Sequence, residues 1–344
     1  MDEHPVEFPD LIRKVTEGEH LDAEEAEAAF DAFLTGEATP VVMAALLAAL
    51  RTKGVRAAEV AGGVRALQKA MRPVASDRPD ELVDTAGTGG GSLTTFNIST
   101  AAALVAAGAG VRMAKHGNRS YSSRSGSADV LEALGVRIEL DPEHMGEILA
   151  ETGIVFMFAP ILHPAMRHVG PVRRELRIPT IMNLLGPLTN PAGARRQVVG
   201  VADPRLISLV IGSLAELGHH HALVVHGFPG MDELSPLGST RVAELDRGTV
   251  EEYEVSPEEL GVEIHPWEGL AGGEPEDNAR LILEILEGRN RDAARSAVLL
   301  NAGAAVYIAG KADSLKGGVL LARESVDSGQ AREKLEQLRS ASRR

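Results

Sequence analysis

From residue 82 onward, short apolar runs alternate with alanine- and leucine-rich stretches of helical length, and no other feature narrows the fold so far. The runs fall at 82–84, 111–115, 155–158, 197–201, 222–226 and 241–245. Strands separated by helices pair in parallel, because a parallel neighbour needs a long crossover. The pattern predicts an α/β fold with a mostly parallel central sheet. Residues 8–72 read differently, with helical periodicity and few strand signals. Leu11, Ile12 and Val15 make one amphipathic face, 23–33 a second and 41–51 a third; Pro40 after Thr39 marks a helix start. A small all-α domain, 1–75, is therefore expected ahead of a larger α/β domain, 76–344, with a linker at 76–80. Aromatic residues are only 3% of the chain, so its cores must be built from Ala, Val, Leu and Ile. The charged stretch from about 328 reads as a frayed or surface helix.

A glycine loop follows the first of those strands. Gly87, Gly89, Gly90 and Gly91 lie between the run at 82–84 and an alanine-rich helix at 101–109. Without a Cβ, such a loop lets backbone N–H groups converge on an anion, and the next helix adds its own unpaired N–H groups and positive dipole end. Ser99 and Thr100 stand where hydroxyls cap that helix or donate to phosphate oxygens. A phosphate or pyrophosphate cradle is the simplest reading, and an ordinary tight turn is the alternative. Two common cradles are excluded: there is no G-x-x-x-x-G-K-[ST], and the residue five after Gly87 is Ser92, which breaks G-x-G-x-x-G.

A second polar segment, Lys115-His-Gly-Asn-Arg-Ser120 and the serine-rich 122–129, follows the next strand end. Open α/β sheets collect ligands at the carboxyl ends of their strands. Lys115 and Arg119 suit phosphate oxygens as a point charge and a fork, and Asn118 can donate and accept at once. Further on, His163, Arg167, Pro171 and Arg174 share a broad helical face, with Met166, Gly170 and Arg173 beside it. His163 and His168 read as helix-packing residues. Asp232 and Glu233 follow a strand ending near His226. Adjacent carboxylates near a phosphate cradle make a Mg2+ site plausible, and a solvated acidic turn is the alternative. His219-His-His221 reads as a helix-to-strand connection rather than a metal tract.

Composition narrows the function classes. There is no Cys, which excludes a disulfide framework, a thiolate nucleophile and a cysteine metal site. The net charge of −14 opposes nucleic-acid and anionic-membrane partners. The acidic Met1-Asp-Glu-His-Pro-Val-Glu is unlike a signal peptide, and no uninterrupted apolar run reaches about 18 residues. The expectation is a cytoplasmic protein that binds neither membrane nor nucleic acid.

The motifs G-T-G-G, T-F-N-I-S-T-A-A-A, K-H-G-N-R-S, S-G-S-A-D-V-L-E-A-L-G, H-P-A-M-R-H-V-G-P-V-R and N-L-L-G-P-L-T-N-P-A-G occur in this order. Together they resemble the anthranilate phosphoribosyltransferase family over nearly the whole chain. The resemblance implies transfer of phosphoribose from phosphoribosyl pyrophosphate to the amine of anthranilate, in tryptophan biosynthesis. It implies a cleft between the two domains, with part of 165–195 returning to the helical one, and a homodimer formed through that domain. Gly87, Thr88, Gly89, Gly90, Thr95, Asn97, Ser99, Thr100, Lys115 and Ser127 would bind phosphoribosyl pyrophosphate. Gly87, His116, Asn118 and Arg173 would bind anthranilate, with Gly117 shaping the pocket. Ser99, Asp232 and Glu233 would bind Mg2+. Arg173 suits its role because a guanidinium pairs a carboxylate bidentately. Catalysis would come from positioning, chiefly by Lys115 and Arg173, and from stabilising the leaving pyrophosphate.

Three positions depart from the family's pattern. Gly91 stands where the glycine loop usually carries Asp, Tyr121 where a small residue is usual, and Pro179 where Arg is common. Gly91 leaves room for a paralogue that uses another aromatic amine. A pyrimidine-nucleoside phosphorylase, a relative of the same fold, and a non-catalytic nucleic-acid binder are the other readings. The negative charge opposes the last.

Overall fold

The computed structural model describes residues 6–89, 93–120 and 124–344. Its sheet contains β1 (Leu82–Gly87), β2 (Arg112–Gly117), β3 (Ile154–Phe158), β4 (Arg196–Gly200), β5 (His221–Gly227), β6 (Thr240–Asp246) and β7 (Thr249–Val255), in the order β3-β2-β1-β4-β5-β6-β7. The first five run parallel, and β6 and β7 extend the sheet antiparallel beyond β5. All six expected runs are strands. The seventh escaped the apolar pattern because β7 carries Glu251, Glu252 and Glu254 on an edge. Charge is a usual way to protect an edge strand from pairing with another chain.

The N-terminal helices are α1 (Phe8–Thr16), α2 (Ala23–Thr35), α3 (Pro40–Lys53) and α4 (Ala57–Ala70). Their starts are written in the sequence. Thr39 caps α3, and Asp22 and Glu25 form a reciprocal capping box on α2. The middle helices are α5 (Ile98–Gly108), α6 (Ser127–Ala133), α7 (Pro142–Thr152), α8 (Ala159–Leu162), α9 (Met166–Leu176), α10 (Met182–Leu188) and α11 (Ile207–Glu216). The chain finishes with α12 (Pro275–Leu286), α13 (Ala293–Ile308), α14 (Leu315–Asp327) and α15 (Gln330–Ser342).

Alternation along the strands divides the interior in two. Side chains in register on neighbouring strands share a face, and successive ones point oppositely. Val83, Met113, Val198, Leu223 and Val225 join an apolar core with α5 and α13. Val199, Ala222, Val224, Ala243 and Leu245 join a second core with α11. That second core continues through Phe30, Leu46, Leu47 and Val64 of the N-terminal helices, and through Val169, Val172, Met182 and Leu185 of α9 and α10. One face of the sheet thus looks toward α5 and the other toward the helical bundle. The C-terminal stretch corrects the expectation of a frayed helix. Ala331, Leu335, Leu338 and Ala341 of α15 are buried, and the helix packs on α5 and α7. Among the described residues, no helix is long and apolar enough to cross a membrane.

Candidate active site

Four parallel strands end on glycine: Gly87, Gly117, Gly200 and Gly227. Gly87 and Gly200 are register partners on β1 and β4. A Cβ on Gly87 would meet Asp232 Oδ2 at 2.6 Å, and one on Gly200 would collide with the Asp232 backbone. The missing side chains let the loop carrying Asp232 and Glu233 sit directly over the strand ends. Gly89, at φ +64°, donates its N–H to the Asp232 carboxylate. Thr88 donates its N–H to the Gly200 carbonyl at 2.9 Å.

Lys115 is 4% exposed on β2, where its ammonium donates to the Thr85 carbonyl at 2.7 Å and to Ser99 Oγ at 3.2 Å. Burial pulls its pKa down, and Asp84 and Glu233 oppose that shift. Glu233 accepts the N–H of Ser99 in the first turn of α5, and burial beside Asp232 pushes its carboxyl up to about 8. Burial also raises Asp232. The expected Ser99, Lys115, Asp232 and Glu233 are thus brought together, with Gly87 and Gly89 alongside.

α5 begins earlier than the alanine run suggested. Ser99 and Thr100 lie in its first turn, and the cap position belongs to Asn97. The Thr100 hydroxyl is buried without a hydrogen-bond partner among the described residues. Asn97 is already engaged: its amide donates to the Ser125 carbonyl at 3.0 Å, and its oxygen accepts from Ser125 Oγ at 3.1 Å and Asn278 Nδ2 at 2.9 Å. It braces the rim of the site. Thr95 bridges Ala271, and the Ser127 hydroxyl donates to the Asn118 carbonyl at 3.3 Å. Arg119 turns away from the cradle and pairs with Asp129 at 2.8 Å and Glu132 at 2.5 Å. Those bonds tie the loop to α6, so its expected role as a phosphate fork is not met. Gly90, Gly91, Ser92, Tyr121, Ser122 and Ser123 lie outside the described residues.

His116 follows Lys115 on β2 and so points to the opposite face, toward the bundle. Its Nε2 lies 3.2 Å from Nε2 of His163, and its ring hydrogen-bonds the Gly186 carbonyl of α10. Desolvation depresses His116 to about 3 and His163 to about 4, so both rings are neutral at pH 7. His163 is 7% exposed, and its Nδ1 has no hydrogen-bond partner among the described residues. His163 ends α8 just before α9, and its ring packs against that of His116 with centroids 5.0 Å apart, so it packs on the sheet as well as among the helices. Asn118 is half-buried, and its Oδ1 accepts the Arg119 N–H at 2.7 Å. Arg173 lies in the last turn of α9, partly buried, while Arg174 is exposed. The consecutive histidines at 219–221 do span the link from α11 to β5; His219 pairs with Gln197 and His221 with Glu244. Sequence reasoning passed over Asp84, Asn190 and Gln197, which lie buried beneath the site.

The chain matches the glycosyl transferase family, helical bundle domain, over residues 9–71 and the glycosyl transferase family, a/b domain, over 79–332. It is 52% identical to the anthranilate phosphoribosyltransferase of Rubrobacter xylanophilus over 335 residues, 97% of each chain. A second relative of that name, from Thermomicrobium roseum, is 52% identical over 96% of this chain and 95% of its own. The crystal structure of anthranilate phosphoribosyltransferase from Thermus thermophilus superposes with a TM-score of 0.92 at 49% identity, covering 97% of this chain and all of that one. The Saccharomyces cerevisiae protein of the same name, solved in complex with PRPP and Mg, superposes at 0.88 with 26% identity over 97% of each chain. These relatives favour the anthranilate reading over a nucleoside phosphorylase.

Proposed function

The chain belongs to the anthranilate phosphoribosyltransferase family, and on that premise we propose how its own residues transfer phosphoribose from phosphoribosyl pyrophosphate to anthranilate. The observation that carries the reading is the division of β2. Lys115 turns to the α5 face beside Ser99 and Glu233, and His116 turns to the bundle face beside His163 and Gly186. The donor belongs on the first side and the acceptor on the second, with the strand ends between them.

The loop from Gly87, the hydroxyls of Ser99 and Thr100, and the Lys115 ammonium hold the donor's phosphates. Asp232 and Glu233 fit Mg2+, because they are adjacent buried carboxylates lifted above their usual range by burial, and Mg2+ prefers carboxylates, waters and substrate phosphates. Bound there, the ion supplies charge neutralisation for the departing pyrophosphate. On the other side, Arg173 pairs the anthranilate carboxylate, and Asn118, Gly117 and His116 shape the slot for its ring.

Anthranilate's aromatic amine is neutral at pH 7 and attacks without a strong base. Its lone pair forms the bond to ribose C1 as the C1–O bond breaks, the electron pair leaves on pyrophosphate, and the amine then loses a proton. Positive charge grows on the ribose in between. Neutral His116 and His163 suit that moment, since imidazolium rings there would repel the developing cation. The test is loss of anthranilate fluorescence in the presence of phosphoribosyl pyrophosphate and Mg2+, for the wild type and Gly91→Asp. Turnover by the wild type is expected. A folded protein silent in both forms would send the assignment to another acceptor.

A further inference from the structure

Beneath the site lies a polar cluster that contacts no expected ligand. Asp84 and Gln197 are fully buried, and Asn190 is 3% exposed. Asp84 and Gln197 are register partners on β1 and β4, and both point to the bundle face. Asp84 Oδ1 accepts the His116 backbone N–H at 3.2 Å. Its Oδ2 accepts from Asn190 Nδ2 at 2.8 Å and, more weakly, from Gln197 Nε2 at 3.4 Å. Asn190 Nδ2 also donates to the Ala114 carbonyl on β2 at 2.8 Å, while its Oδ1 accepts the Ala192 N–H at 2.9 Å. Gln197 Nε2 reaches the Pro187 carbonyl of α10 at 3.1 Å, and its Oε1 lies 3.0 Å from His219 Nε2.

We propose that Asp84, Asn190 and Gln197 are positioning residues that lock the backbone of His116 and the Gly186–Pro187 turn of α10 into one acceptor wall. The wall has two halves, one from the sheet and one from the helical bundle. His116 and Gly186 meet across it, and the buried cluster is hydrogen-bonded to both halves at once. A buried carboxylate is costly to keep, and Asp84 is indeed raised by burial. The core would be simpler with apolar residues at 84 and 197. What polar groups add is direction, because hydrogen bonds fix the register of two elements more sharply than apolar contact does.

The proposal rests on the acceptor lying at His116, and its test separates the two ideas. Gln197→Met keeps volume and charge while removing the link to Pro187. It is expected to raise the anthranilate KM about tenfold and leave that of phosphoribosyl pyrophosphate within about twofold, since small misplacements of a wall cost rate steeply. Asp84→Asn also removes a negative charge that acts on Lys115 from the other face of the sheet, so it is expected to raise both KM values. A purely structural role would lower the melting temperature and the active fraction without splitting the two. Unchanged KM values in Gln197→Met, or an equal rise in both, would overturn the proposal. Should Gln197→Met not fold, Asn190→Ser is read by the same split. Wild-type turnover of anthranilate, with a rise of its KM in His116→Ala, would show that the underlying acceptor reading stands when this inference fails.

Discussion

At the scale of single residues, burial decides what each polar group can do. His163 shows this plainly. Its folded pKa is depressed to about 4 by desolvation, against an unfolded value of about 6.5. Lowering the pH from 7 therefore puts a proton on the unfolded chain before the folded one, and stability falls between about 6.5 and 4. At pH 5 this ring alone should cost about 2 kcal/mol. Urea unfolding of the wild type and His163→Gln at pH 7 and pH 5 checks it: the variant should lose less on acidification by about that amount, and equal losses would count against a neutral buried ring. Residue-level legibility was uneven for the same reason. Lys115, Ser99, Asp232 and Glu233 stood out because charge and hydroxyls cluster beside strand ends. Asp84 stood one residue past Leu82-Val83 and read only as the polar end of a strand. Its side-chain partners Asn190 and Gln197 lie more than a hundred residues away, so nothing local marked it as the centre of a network.

At the scale of elements, apolar periodicity was a good guide wherever one face is buried and the other is not. It found β1 to β6 and the first helices. It failed at β7, whose glutamates follow from its place on the sheet edge, and at α15, whose charges mask a buried stripe. Leu335 tests the second point. It is fully buried, so Leu335→Ala should cost about 3 kcal/mol in chemical denaturation. A frayed helix would lose under about 0.5 kcal/mol, the usual limit for a surface change. α5 shows a subtler limit. Its start at Ile98 rather than at the alanine run moves Ser99 and Thr100 from the cap into the first turn, where Ser99 can offer its N–H to Glu233.

At the scale of the whole molecule, the proposed division gives each face of the sheet its own substrate. The α5 face gathers the cradle, Lys115 and the acidic pair. The bundle face gathers His116, His163 and the end of α10. Parallel strands ending in glycine bring both to one rim, where a ribose between them can exchange partners. The alternation of strand and helix made this architecture legible in the sequence, but not which residues cross from one layer to the other. The most direct measurement compares neighbours on the one strand: KM values for both substrates in Lys115→Met and His116→Ala. Lys115→Met should raise the phosphoribosyl pyrophosphate KM at least about tenfold with little change for anthranilate, and His116→Ala should do the reverse. If both variants shift both constants alike, donor and acceptor are not divided between the faces of the sheet.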